Sequence, residues 1–239
     1  MNHSFRMMIF LFLIAAPTAV WAQGNAQDKI KNPANYDAFP IETNNPAAWP
    51  YYEWMARQAI AHRPDNFDFG QFRRYYAGTE QYDPIGQTIL KKLYALAFTL
   101  ENETNTAEVQ KITDEYTTLI NAHLANIEVI TAAAGLSAQN SKLGDPDFFR
   151  WLRAGLLQSV MISGDGENLF RAYSVVTLAE ETALLQNLPV KVLDVKTEQS
   201  GGVYYNMHLV EDAGHQKPYT IFVDVTVPMT RLERDRNKN

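Results

Sequence analysis

The stretch that decides the fold is "SGDGENLFRAYSVV", Ser163 to Val176. Before it, apolar residues recur at helical spacing; after it, they alternate. Two glycines and two acids in five residues pose the question of a phosphate loop, a calcium loop or a turn. A phosphate loop needs glycines that lead into a helix, usually beside Lys and Ser or Thr. Here the order is helix, loop, strand, and no Gly-Lys-Ser follows. A calcium loop needs roughly six to eight oxygens from alternating acids. Asp165, Glu167 and Asn168 supply three side chains, and then Leu169 and Phe170 end the polar run. The favoured reading is a structural turn. Gly164 takes the left-handed conformation that ends the preceding helix. Asp165-Gly166 then turns tightly, with Asp165 bonding its own backbone.

Upstream of the turn the signals are helical. Asn45-Pro46, Asp83-Pro84 and Asp145-Pro146 each set a capping side chain before a proline, where the missing N–H costs nothing. From Pro84, a stripe of Ile85, Ile89, Leu93, Leu96 and Leu100 falls on one helical face. Asn105 to Glu108 resembles a capping box, and Val109, Ile112, Tyr116, Leu119, His123 and Ile127 form a second stripe. Phe149, Leu152, Leu156 and Val160 follow Pro146 on a third helix. Shorter helices cover Trp49 to His62 and Phe67 to Tyr76. Such a succession predicts packed helical hairpins, loosely tetratricopeptide-like, although no repeat of constant length aligns.

Downstream, Tyr173 to Thr177 reads as a strand and Thr177 to Glu180 as a capping box for a short helix to about Asn187. Val190 to Val195 alternates, and Gln199 to Gly202 is a hairpin turn. In the next strand Val203, Tyr205, Met207 and Leu209 are expected to face inward, with Tyr204, Asn206 and His208 opposite. In the last, Tyr219, Ile221, Val223, Val225 and Val227 point inward, with Thr220, Phe222, Asp224 and Thr226 opposite. Helices followed by strands predict an α+β fold with a small, largely antiparallel sheet. The whole of 47–230 reads as one domain, with a helical part over 47–163 and a sheet part over 164–230. Residues 231–239 read as a charged tail.

The ends of the chain bear on compartment. Met1 to Ala22 has Arg6, an apolar run from Met7 to Ala16, and small residues at Val20 and Ala22 around Trp21. This is the pattern of a secretory signal peptide, too short to span a bilayer. Residues 23–46, rich in Asn, Pro, Ala and Gln, read as an extended or disordered arm. The chain has no cysteine, and so neither disulfides nor a lipid-anchor cysteine at the cleavage site. The expected localisation is the periplasm or the cell exterior, with no membrane span after cleavage. The formal net charge is −6, which weighs against general nucleic-acid binding, since that rests on Lys and Arg at phosphates.

The motifs together resemble a bacterial secreted family known as domain of unknown function 4919. The residues that carry the resemblance are "DFGQFRRYY" (Asp68 to Tyr76), Ser163 to Gly166, Ala172 to Val176, Glu180-Glu181 and "YTIFVDV" (Tyr219 to Val225). Thr182 stands where the resemblance implies an aromatic residue. It implies fold and compartment, and no activity.

Candidate chemistry is sparse. Glu180 and Glu181 sit in a helix first turn, where the dipole favours acids, and capping accounts for Glu180. His123 reads as a hydrogen-bonded core histidine. His208 and Asp224 share the expected polar strand face, where cross-strand neighbours lie about 5–8 Å apart. With a further polar group they would make a small hydrolase site. His208, Glu211, Asp212 and His215 gather near the hairpin loop and form the alternative, a metal site, although their spacing follows no zinc pattern. A solvent-facing sheet surface is the favoured reading of both. There is no Gly-x-Ser-x-Gly, no catalytic Cys and no His-Glu-x-x-His, and Ser137 lacks the Ser-x-x-Lys spacing. Trp49, Tyr51, Tyr52, Trp54, Phe72, Tyr75 and Tyr76 crowd one region, mostly as core. The expected function is a non-catalytic envelope module, without cofactor, that binds a protein, peptide or envelope component.

Overall fold

Among the described residues five α-helices begin on a side-chain cap, and those caps divide the chain. In the computed structural model, which describes residues 48–238, the helical half comprises α1 (Ala48–His62), α2 (Phe69–Gly78), α3 (Gln87–Asn102), α4 (Thr106–Asn121), α5 (Ile127–Gln139) and α6 (Pro146–Met161). Asp68, Asn105, Asn126 and Asp145 accept from the first-turn amides of α2, α4, α5 and α6. Thr177 does the same for α7 (Leu178–Asn187). Each cap satisfies amides that the helix itself leaves orphaned. The helices pack as successive pairs, α1 with α2, α3 with α4 and α5 with α6. Between them lies one aromatic-rich core, in which Tyr52 and Phe72 stack at 5.1 Å and Tyr76 meets Tyr82 edge-on at 5.5 Å. Tyr51 and Trp54, from the same crowded region, are exposed.

The second half adds β1 (Tyr173–Ser174), β2 (Lys191–Ser200), β3 (Val203–Glu211) and β4 (Tyr219–Asp224), then α8 (Thr226–Arg236). The sheet order is β1-β4-β3-β2, with β1 parallel to β4 and the rest antiparallel. A second core joins Val160 of α6 and Leu184 of α7 to Val175, Val210, Ile221, Val223 and Val225. The α+β arrangement thus stands, with helices first and a small mixed sheet after. The leader and the arm, with Asn45-Pro46, lie outside the described residues.

Several local expectations need correction. The stripe from Val109 to Ile127 is not one helix, because α4 ends at Asn121 and Asn126 caps a separate α5. Asp83 does not cap α3. Its Oδ1 accepts from the Ile85 and Gly86 amides in a turn, and α3 starts beyond Gly86, at φ 78°. β4 stops at Asp224 instead of reaching Val227. The Asp224 carboxylate accepts the Thr226 amide 2.9 Å away, and Pro228 sits in the first turn of α8, where it leaves no helical bond unmade. The supposed tail from Arg231 belongs largely to that helix. Arg231 lies over the Tyr82 ring and donates to the carbonyls of Thr79 and Glu80.

The phase of β3 is also inverted. Opposite residues of an antiparallel pair share a face. His208 lies opposite Ile221 and Asn206 opposite Val223, while Tyr205 lies opposite Asp224 and Met207 opposite Phe222. Asn206 and His208 therefore face the helices, and Tyr205 and Met207 face away. Apolar residues on β3 suggested the opposite. The polar pair can point inward because α7 brings it a carboxylate.

Candidate functional site: a buried polar network and a groove between α3, α5 and α7

Motifs far apart in the chain meet in one buried network. Arg73, from the "DFGQFRRYY" stretch on α2, donates from Nε and Nη2 to the two carboxylate oxygens of Glu180, each at 2.8 Å. Its Nη2 also donates to the Ser174 carbonyl at 2.8 Å and its Nη1 to Ser159 Oγ at 3.1 Å. Glu180 Oε2 accepts the Val176 amide at 2.7 Å. The Glu180 amide does bond Thr177 Oγ1, as a capping box requires, but its carboxylate is the counter-ion of Arg73, so capping alone does not account for it. Glu181 accepts from Asn206 Nδ2 at 2.7 Å and pairs with His208 Nε2 at 2.7 Å. Arg73, Glu180, Glu181 and His208 are all buried. Arg73 and Glu180 pair with each other, while His208 Nδ1 is left without a hydrogen-bond partner, and the network ties α2, α6, β1, α7 and β3 together. The Arg73–Glu180 pair, with side chains 5 % and 0 % exposed, holds these elements in place.

The strand-face site does not form. His208 and Asp224 lie on opposite faces of the sheet, so neither the shared wet face nor a His208–Asp224 hydrolase pair exists. The loop cluster is split as well. Glu211 pairs with Lys191 at 2.8 Å, and His208 points into the core. Only Asp212 and His215 meet, at 3.0 Å, with the Tyr219 hydroxyl donating to Asp212 at 2.7 Å. Those hydrogen bonds hold the Asp212 carboxyl well below its ordinary range, and the Asp212 carboxylate pushes the Tyr219 phenol up to about 12. The Gly214 and His215 amides also donate to Asp212, which therefore serves as the hub of a turn. Among the described residues no group of three or more His, Cys, Asp or Glu is gathered as a metal site would require.

His123 sits in the turn between α4 and α5, with Nδ1 3.0 Å from the Tyr76 hydroxyl. That hydroxyl also accepts the Asp83 amide at 3.3 Å, so the ring and the phenol share one buried hydrogen-bonded cluster. Burial drives the His123 pKa down to about 4 and the Tyr76 phenol well above its ordinary value.

The SGDG stretch is a turn, but one glycine works differently from expectation. Gly166 has φ +72°, whereas Gly164 is absent from the positive-φ glycines. A Cβ on Gly164 would lie 2.4 Å from the Arg171 carbonyl oxygen and 2.5 Å from that of Ala172. Gly164 is needed for close backbone approach. The amides of Asp165 and Gly166 both donate to the Arg171 carbonyl, at 3.0 and 2.8 Å, and the Gly166 carbonyl accepts the Phe222 amide. Arg171 pairs with Asp165 and Glu167, which closes the loop on itself.

A recess lies elsewhere. A groove of about 620 Å³ runs between α3, α5 and α7, lined by Ile85, Tyr94, Ile127, Gly135, Ala179 and Ala183 among others. Tyr94 and Ile85 remain exposed beside it. Glu128 and Arg153 supply its charges, with Arg153 Nε donating to Thr131 Oγ1 at 3.1 Å. Burial, and then Asp83, raises the Glu128 pKa. Gly135, in the interior of α5, has nothing within 4 Å of where a Cβ would stand. Sequence reasoning missed the groove because it missed α5, whose run "IEVITAAAGLSAQ" is apolar on most faces and shows no clean stripe. Asn126 before it, with Glu128 in the first turn, is the signal that marks the helix.

No protein-family model matches the chain, and neither a curated protein nor a solved structure matches it.

Proposed function

We propose that the protein is an exported, non-catalytic binding module whose α3–α5–α7 groove takes an apolar peptide segment of an envelope protein. The observation that carries this reading is Gly135. Glycine in a helix interior costs about 1 kcal/mol relative to alanine. Packing does not require it, because a Cβ there would meet nothing within 4 Å. The position faces the open space of the groove, so that a large side chain there would fill it. Ala179, Ala183 and Ile127 line it beside Ile85 and Tyr94, and Glu128, Thr131, Gln139, Arg153, Thr182 and Gln186 add polar groups that would orient the guest's backbone. The buried network fits the same reading, since it fixes α7, one wall of the groove, to α2 and the sheet. Export is supported by Met7 to Ala16 and the Val20-Trp21-Ala22 site. N-terminal sequencing of protein from the native host should begin at or near Gln23.

A displayed library of random twelve-residue peptides tests the binding reading. Selection on the wild-type protein should enrich peptides with two or more large apolar residues. Their binding should be lost on Gly135→Trp, which fills the groove from an open position. No enrichment, or enrichment indifferent to Gly135→Trp, rules the groove out.

A further inference from the structure

The sheet ends in an unusual edge. β1, at one side, has two residues, whereas β2, at the other, has ten, and all ten are exposed. Edge strands present unpaired amides and carbonyls to any strand that fits. Which residues of β2 do so follows from its turn. Gly201 and Gly202, at φ 60° and 84°, form a two-residue hairpin connection between Ser200 and Val203. Residues that flank such a turn form a hydrogen-bonded pair, and hydrogen-bonded and non-hydrogen-bonded pairs then alternate. Gln199, Thr197 and Val195, opposite Tyr204, Asn206 and His208, therefore turn their backbone groups away from β3. The Val195 amide accordingly bonds its neighbour Asp194 Oδ1, at 2.9 Å, and not β3.

We infer that β2 pairs antiparallel with β2 of a second copy, about a two-fold axis at Thr197. In that register Thr197 meets the partner's Thr197, and Val195 meets the partner's Gln199. Lys196 then stands opposite the partner's Glu198, and Glu198 opposite the partner's Lys196. These two residues already pair within one chain, so the dimer closes a four-charge ring. The register is selected by charge. Moving the axis by one residue sets Lys196 against Lys196, or Glu198 against Glu198, and like charges directly opposite destabilise. Moving it to Val195 drives the bulge between Val192 and Asp194 into the ladder. Moving it to Gln199 runs the strands into the Gly201-Gly202 turn. The Thr197 register alone pairs 194–200 without a bulge, a turn or a charge clash. Two four-stranded sheets become one of eight strands, and Val195, 53 % exposed, gains a covering strand.

The test is light scattering on the processed chain across concentration, with charge reversal at the edge. Wild type should show twice the monomer mass at about 100 μM. Lys196→Glu and Glu198→Lys should each weaken the dimer by roughly tenfold or more, and the double variant should restore it. Both side chains are exposed, so thermal melts at dilutions where wild type is monomeric should be unchanged, and loss of folding cannot mimic the result. Because the chain has no cysteine, Thr197→Cys gives a second readout. Mild oxidation should cross-link it across the axis, whereas Gly214→Cys, away from β2, should give no cross-link. A monomer at every concentration with no Thr197→Cys cross-link overturns the inference. A dimer indifferent to the charge reversals does so equally.

Discussion

Arg73 and Glu180, 107 residues apart in sequence, form a two-point ion pair with both contacts at 2.8 Å and neither side chain open to solvent. A buried pair of this kind gains little over an apolar pair of the same shape, but breaking it strands a charge. Arg73→Ala or Glu180→Ala alone should therefore cost about 3–5 kcal/mol in urea unfolding. The double variant Arg73→Met/Glu180→Leu should recover much of that loss. Additive losses would show that the pair is not a unit.

The second pair, Glu181 with His208, makes a related prediction that separates the two sheet faces. His208→Ala takes from the buried Glu181 carboxylate a 2.7 Å partner, Asn206 remaining, and should cost about 1–3 kcal/mol. Asp224→Ala removes one bond to the Thr226 amide and should cost about 1 kcal/mol or less. Equal, small losses at both positions would contradict the inward placement of His208.

His123 predicts an acid limb in stability. Its folded pKa, about 4, is below the unfolded value of about 6.5, so the unfolded chain takes up the proton first. The contribution of neutral His123 is complete above about pH 6.5 and is lost as pH falls through 4, about 3 kcal/mol in all. His123→Asn, which keeps a hydrogen-bonding side chain beside the Tyr76 hydroxyl, should flatten the slope between pH 6.5 and 4.5 in denaturant titrations. An unchanged slope would assign that limb to other groups.

The glycines give a stability series. Gly164→Ala forces a methyl onto two backbone carbonyls and should destabilise by about 2 kcal/mol or more. Gly166→Ala combines a left-handed φ of +72° with contact on Tyr173 and should also destabilise. Gly135→Ala should stabilise by up to about 1 kcal/mol, because its site is helical and empty. Thermal melts of the three variants check the order. Added calcium should shift none of them, and a calcium-dependent rise lost on Asp165→Asn would revive an ion site in the turn.

How much of this was legible in the sequence depended on whether a signal was local. The switch at Ser163 from helical to alternating spacing, the caps at Asn105, Asp145 and Thr177, and the Gly201-Gly202 turn are local, and each stands where the residues put it. The facing of β3 was not legible. Tyr205 and Met207 outvote Asn206 and His208 on hydrophobicity, and only the presence of Glu181 across the gap reverses the choice. Arg73 gave no sign of its partner either, since 107 residues separate it from Glu180. The helix α8 was hidden because Val225 and Val227 prolong the alternation of β4, while the stop signal is one side-chain bond from Asp224. The groove needed α5, and α5 lacks the stripe by which the other helices announce themselves.

The claim that the protein is a binding module rests on the open floor at Gly135. Isothermal titration of one enriched peptide into wild type, Gly135→Ala and Gly135→Trp tests it most directly, with melting temperature measured on each. The account predicts saturable binding to wild type, binding to Gly135→Ala weakened by no more than about tenfold, and none to a folded Gly135→Trp. Equal affinity for wild type and a folded Gly135→Trp would contradict it.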